Sequence, residues 1–166
     1  MRGVSNMPAY GRLVCGALLL AFSLPLLADG GARVVKSAPL PDARATIVVA
    51  EGDFEPRSVG SYSIRAYAAA DARFPYDRFL AGAVRPRSGV IEELRIADVN
   101  GDGTADIIVV MRAAGTGGHR SADAFRLQGR ALRLLGSVSG LAKDADPVRA
   151  LTTRLQAGSS TNEPKR

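Results

Sequence analysis

The sequence predicts a mainly β domain: an antiparallel β-sandwich, or a strongly curved sheet, with a short C-terminal helix. Three observations predict it. Gly (18) and Pro (9) are plentiful among 166 residues, so turn signals come at close intervals. Between them lie short runs that are β-branched or alternate apolar with polar, the pattern of half-buried strands. A helix start signal followed by a helical apolar stripe occurs once beyond the N-terminal region, near the C-terminus.

Taken in order, residues 33–44 are interrupted by Pro39 and Pro41 and read as an irregular lead-in. Thr46–Ala50 is β-branched and predicts a strand, and Glu51–Pro56 a loop. Tyr62, Ile64 and Ala66 alternate with Ser63, Arg65 and Tyr67, the period of a strand. A connection over Asp71–Pro75 leads to a strand over Phe79–Val84 and a turn over Arg85–Gly89. Val90–Ala97 fits either element, but Asp98–Gly103 then forces a tight loop, which favours a strand. Asp106–Met111 is the most apolar run after the N-terminal region and suits a central strand buried on both faces. Ser121–Gln128 and Ala131–Val138 form a hairpin about Gly129. Asp146-Pro147 opens a helix over Val148–Gln156, with proline at its first position and Val148, Leu151 and Leu155 on one stripe. Residues 158–166 are polar and read as a flexible tail.

The N-terminus reads as an address. Arg2 and Arg12 precede sixteen uncharged residues, Leu13 to Ala28, that end among small residues. That run falls short of the ~20 residues a spanning helix needs and matches a secretory signal peptide over residues 1–30. Cleavage is expected between 28 and 32, with an uncleaved anchor as the alternative. Cys15 stands before the apolar run, whereas a lipidated cysteine ends one. Cleavage leaves a cysteine-free domain over 31–157, exported to the periplasm. Removing Arg2, Arg12 and Asp29 leaves twenty basic and fifteen acidic residues, a net of +5.

One Cys and one His exclude a Cys/His zinc cluster and an intrachain disulfide. Loss of Cys15 with the signal also removes any Cys–His nucleophile pair, and no enzyme activity is expected. Two glycine-rich segments remain. In Asp98-Val-Asn-Gly-Asp-Gly-Thr-Ala-Asp106, oxygen-bearing side chains recur at Asp98, Asn100 and Asp102, with Asp106 beyond. A Ca²⁺ ion wants such a compact oxygen set, but the twelfth position of an EF-hand loop would be Val109, not Glu. The alternative is a β-turn whose Asn and Asp bond their own backbone. No cofactor is required by either reading. In the second segment, Gly115, Gly117 and Gly118 leave Thr116, His119 and Arg120 as the polar reach of an exposed loop. No Gly-Lys-Ser/Thr ending marks it as a phosphate loop.

That second segment, Val109–Phe125, resembles the inhibitory-loop region of the periplasmic inhibitors of invertebrate-type (i-type) lysozyme. Asp53–Tyr67, Ala81–Gly89, Ala97–Gly103 and Gly140–Pro147 are similar to that family in the same order. The resemblance implies a proteinaceous inhibitor whose Ser-Gly-x-Tyr stretch enters the lysozyme cleft and bonds the catalytic carboxyl groups. On this chain the matching positions are Thr116, Gly117, Gly118 and His119, so threonine stands for serine and histidine for tyrosine. It implies i-type lysozyme as partner, other lysozymes as further targets, and a homodimer, with no part for nucleic acid or, after signal cleavage, a membrane. The rival readings are an exported calcium-binding module built on Asp98–Asp106 and a basic protein held by anionic envelope polymers.

Overall fold

The computed structural model describes residues 33–69 and 73–160; the signal peptide, Cys15, most of the Asp71–Pro75 connection's first half and tail residues 161–166 lie outside them. Among the described residues eight strands form two four-stranded antiparallel sheets. The first contains β1 (Val35–Leu40), β2 (Ala45–Glu51), β3 (Val59–Ala68) and β4 (Phe79–Ser88), in that order. The second contains β5 (Val90–Ala97), β6 (Asp106–Arg112), β7 (Arg120–Gln128) and β8 (Ala131–Leu141), also in order. Helix α1 spans Pro147–Ser160 and takes in the first residues assigned to the tail.

Two of the expected irregular stretches are strands. The lead-in contains β1, followed by a short 3-10 turn over Pro41–Ala43. The turn expected at Arg85–Gly89 shrinks to Gly89, because β4 continues through Pro86 to Ser88. Both corrections have one cause. β1 and β4 are the edge strands of their sheet, where proline's missing N–H need not break a ladder. Pro39 pairs with Thr46 and Pro86 with Ser61, each in step with the pairs on either side. Gly89 alone then carries the chain from one sheet to the other. Its φ of +93° and the 2.0 Å that would separate a Cβ from the Arg112 carbonyl oxygen admit only glycine.

The sheets enclose a core of Ile47, Val49, Tyr62 and Ile64 from one side and Ile91, Ile107, Val109, Met111 and Phe125 from the other. This is the sandwich alternative of the expected fold. The alternate residues of β6, Ile108 and Val110, point the opposite way and pack with Val99, Ala122, Ala124 and Leu151 under α1. β6 is therefore buried on both faces, as its unbroken apolar run implies. Polar ties cross between the sheets. The buried Tyr62 hydroxyl donates to Asp123 Oδ2 at 2.6 Å, and burial together with that carboxylate pushes the phenol far up. Glu51 Oε1 accepts the Ile91 amide at 2.8 Å, while its Oε2 accepts that of Val34.

Candidate functional site

The antiparallel order sets four connections at one end of the sandwich: residues 52–58, Gly89, 113–119 and 142–146. The Asp98–Ala105 loop lies at the other end, between β5 and β6. The two segments singled out by sequence are therefore a sandwich length apart and cannot share a site.

Residues 113–119 close the β6–β7 hairpin beyond its last pair, Arg112 with Arg120. The Ala113 amide donates to the His119 carbonyl at 2.8 Å and seals the base, and the Gly118 amide donates to the Gly115 carbonyl at 3.2 Å within the loop. Gly118, at φ +56°, is half-buried against the Lys143 side chain. Gly115, Thr116, Gly117 and His119 are exposed. The Thr116 hydroxyl makes no hydrogen bond among the described residues. The His119 ring leans over Gly117, and its Nδ1 stands 3.4 Å from the Leu141 carbonyl. A carbonyl only accepts, so Nδ1 carries the hydrogen in that contact. In the neutral ring Nε2 is then an acceptor, and it becomes a donor only on protonation.

Arg120 differs from the other five loop candidates. It is the first residue of β7, its Nε donates to Glu92 Oε2 at 2.8 Å, and its Nη1 donates to the Ala145 carbonyl. Arg112 meets the same glutamate at 3.6 Å. Arg120 thus braces the loop's base and ties it to the segment that follows β8. Sequence reasoning named it but could not supply Glu92, twenty-eight positions away.

At the opposite end every carboxylate is spoken for. Asp98 accepts the amides of Asn100, Gly101 and Gly103, and these bonds hold its carboxyl below the usual range. Arg126, a residue the sequence did not single out, reaches in from β7. It donates to Asp106 and Asp102, and to Asn100 Oδ1 at 3.2 Å. Asp102 is held far below its ordinary value, first by the Arg126 bond and then by Asn100 and Thr104. Burial raises Asp106, against the Val99 amide and the guanidinium. The guanidinium stands among the oxygens proposed to hold calcium. Among the described residues no three His, Cys, Asp or Glu side chains gather closely enough to hold a metal ion.

A rigid two-sheet frame that gathers exposed, braced loops at one end defines a protein-binding β-sandwich, with the scaffold fixing the loops that meet the partner. The sequence model of the family described as "Periplasmic lysozyme inhibitor of I-type lysozyme" matches residues 32–155. The chain belongs to that family, which consists of inhibitors, not enzymes, of the periplasm. Two solved structures agree. The family member from Aeromonas hydrophila superposes with a TM-score of 0.66 at 43% identity, over 71% of this chain and 98% of that one. The Aeromonas hydrophila inhibitor crystallised in complex with Meretrix lusoria lysozyme superposes with a TM-score of 0.65 at 43% identity, over 71% of this chain and 94% of that one. No curated protein matches the chain. Nor is any described helix long and apolar enough to cross a membrane.

Proposed function

We propose that this protein inhibits I-type lysozyme by placing the 113–119 loop in the enzyme's cleft, with Thr116 and His119 bonding the catalytic carboxyl groups. The exposed loop, sealed at its base and carrying the Thr116 hydroxyl and the His119 ring, is the observation that carries the reading. Glycoside hydrolases of this kind work with two carboxyl groups several Å apart. Thr116 offers a hydroxyl with no competing partner, and His119 offers Nε2. The lysozyme bound to the Aeromonas hydrophila relative supports the choice of partner.

A Thr116→Ala/His119→Ala variant is expected to keep its melting temperature and to weaken inhibition of an I-type lysozyme roughly thirtyfold, about 1 kcal/mol for each lost bond. Unchanged inhibition would remove the loop from the interface.

The calcium-module reading would require the ion to displace Arg126. Melting temperatures in millimolar calcium and in chelator are expected to coincide, whereas an ion that bound the folded state would raise the first.

A further inference from the structure

We propose that Phe54 is a second anchor of the lysozyme interface, seated on an apolar patch beside the cleft that the 113–119 loop enters. The inference rests on the inhibitory reading above and adds a residue to it. Three observations carry it.

The first is size. A stable interface engages about 20–30 residues from each partner, and the seven residues of the 113–119 loop fall far short. The neighbouring connections at the same end must be covered as well. Residues 52–58 are among them, joined to the loop through Gly89: its amide donates to the Ser58 carbonyl at 2.8 Å, and its Cα side abuts Arg112 and Ala113.

The second is exposure. Phe54 is completely exposed, at 106% of its reference area, and is the most exposed of the large apolar side chains among the described residues. Val59, at the start of the next strand, is 64% exposed as well. Aromatic side chains are enriched in interface cores, and a few well-seated anchors carry most of the affinity.

The third is presentation. Phe54 holds φ +61°, in the left-handed region that a bulky aromatic rarely occupies. The conformation persists because its neighbours are fixed. Glu55 Oε1 accepts the Ser61 hydroxyl at 2.7 Å, Arg87 donates to the carbonyls of Pro56 and Arg57, and Arg33 pairs with Asp53 at 3.0 Å. The backbone that carries the ring is thus held in a set conformation, so the segment needs little further ordering on binding. A strained, solvent-facing aromatic adds nothing to the folded monomer, and strain of this kind concentrates where function uses it.

The test is Phe54→Asn. Asparagine tolerates the left-handed backbone and removes the ring. Binding to an immobilised I-type lysozyme is compared for wild type, Phe54→Asn and Thr116→Ala/His119→Ala, each with its melting temperature. The expected result is a melting temperature equal to or above wild type and an affinity lower by roughly ten- to thirtyfold, mostly through faster dissociation. If wild type and Phe54→Asn bind alike while the loop variant binds poorly, the anchor is overturned and the inhibitory reading stands. A melting temperature lowered along with binding assigns Phe54 a structural role and also overturns the anchor. If wild type binds no I-type lysozyme, the inhibitory reading fails and the anchor with it.

Discussion

An Arg126→Met variant is expected to lose about 3–5 kcal/mol of stability at neutral pH, the usual cost of removing one partner from a buried ion pair. Arg126 is nearly enclosed, and Asp106 is fully buried. Methionine fills most of the arginine's volume, so little of the loss comes from a cavity. The loss comes from an Asp106 carboxylate that keeps the Val99 amide but no cation. The Asp98–Ala105 loop also loses the donor that joins Asp102 and Asn100. Adding Asp106→Asn should recover part of the loss, because the group left behind is then neutral. Urea unfolding of the two variants against wild type measures both effects.

The same pair fixes how the difference depends on pH. Asp102 is held below its ordinary value, so its contribution is complete above the free carboxyl's pKa of ~3.9 and fades as pH falls below it. Arg126 is the first cause of that lowering, so the variant has less to lose on acidification. Asp106 is raised by burial, and without Arg126 it is raised further. A raised carboxyl favours folding while it is protonated and disfavours it as pH climbs. Both signs agree: the gap between wild type and variant is widest near neutrality, narrows towards pH ~4 through Asp106 and narrows further below it through Asp102. A gap that stayed constant would show that Asp106 and Asp102 do not sense the guanidinium.

What the sequence could disclose followed from the range of each interaction. Asp106–Met111 was legible as a doubly buried strand because burial on both faces leaves no polar position in the run. Gly129 and Asp146-Pro147 were legible because turns and helix starts are local. The strands around Pro39 and Pro86 were hidden, since proline forbids a central strand but not an edge, and only the topology decides which a strand becomes. The 113–119 loop was visible from its glycines. Its brace, Arg120 with Glu92, was not, nor were Arg126 with Asp106 at the other end and Tyr62 with Asp123 between the sheets: these join residues 20 to 61 positions apart. No periodicity marks such pairs. Phe54 is similarly silent, because nothing in Asp53-Phe-Glu-Pro56 signals a left-handed phenylalanine.

Arg87→Met is expected to cost about 3 kcal/mol and to loosen the end of the sandwich that carries the candidate site. The Arg87 side chain is almost fully buried, 2% exposed, and its guanidinium organises a loop with no secondary structure of its own. It donates to the carbonyls of Ser61 at 3.0 Å, Arg57 at 3.1 Å, Pro56 at 3.1 Å and Gly89. Its Nη2 stands 3.7 Å from Glu55. Methionine satisfies none of these acceptors. Those nearest the surface can turn to water, which keeps the cost below the sum of four separately stranded groups. Gly60 shows how closely the site is filled: a Cβ there would lie 2.3 Å from Glu55 Oε2 and 2.9 Å from Arg87 Nη2. Lysine is no substitute, because one ammonium on a flexible stem cannot span carbonyls that a planar fork reaches in several directions, so Arg87→Lys should regain less than half of the loss. Amide exchange should rise across residues 52–61 and at Gly89, and should change little in β6, whose amides depend on the core. If unfolding free energy and exchange in 52–61 both match wild type, the guanidinium is not what holds the loop. Gly89 touches both Ser58 and the start of the 113–119 loop, so a variant that frees residues 52–58 is also expected to weaken binding at the candidate site without altering a residue in it.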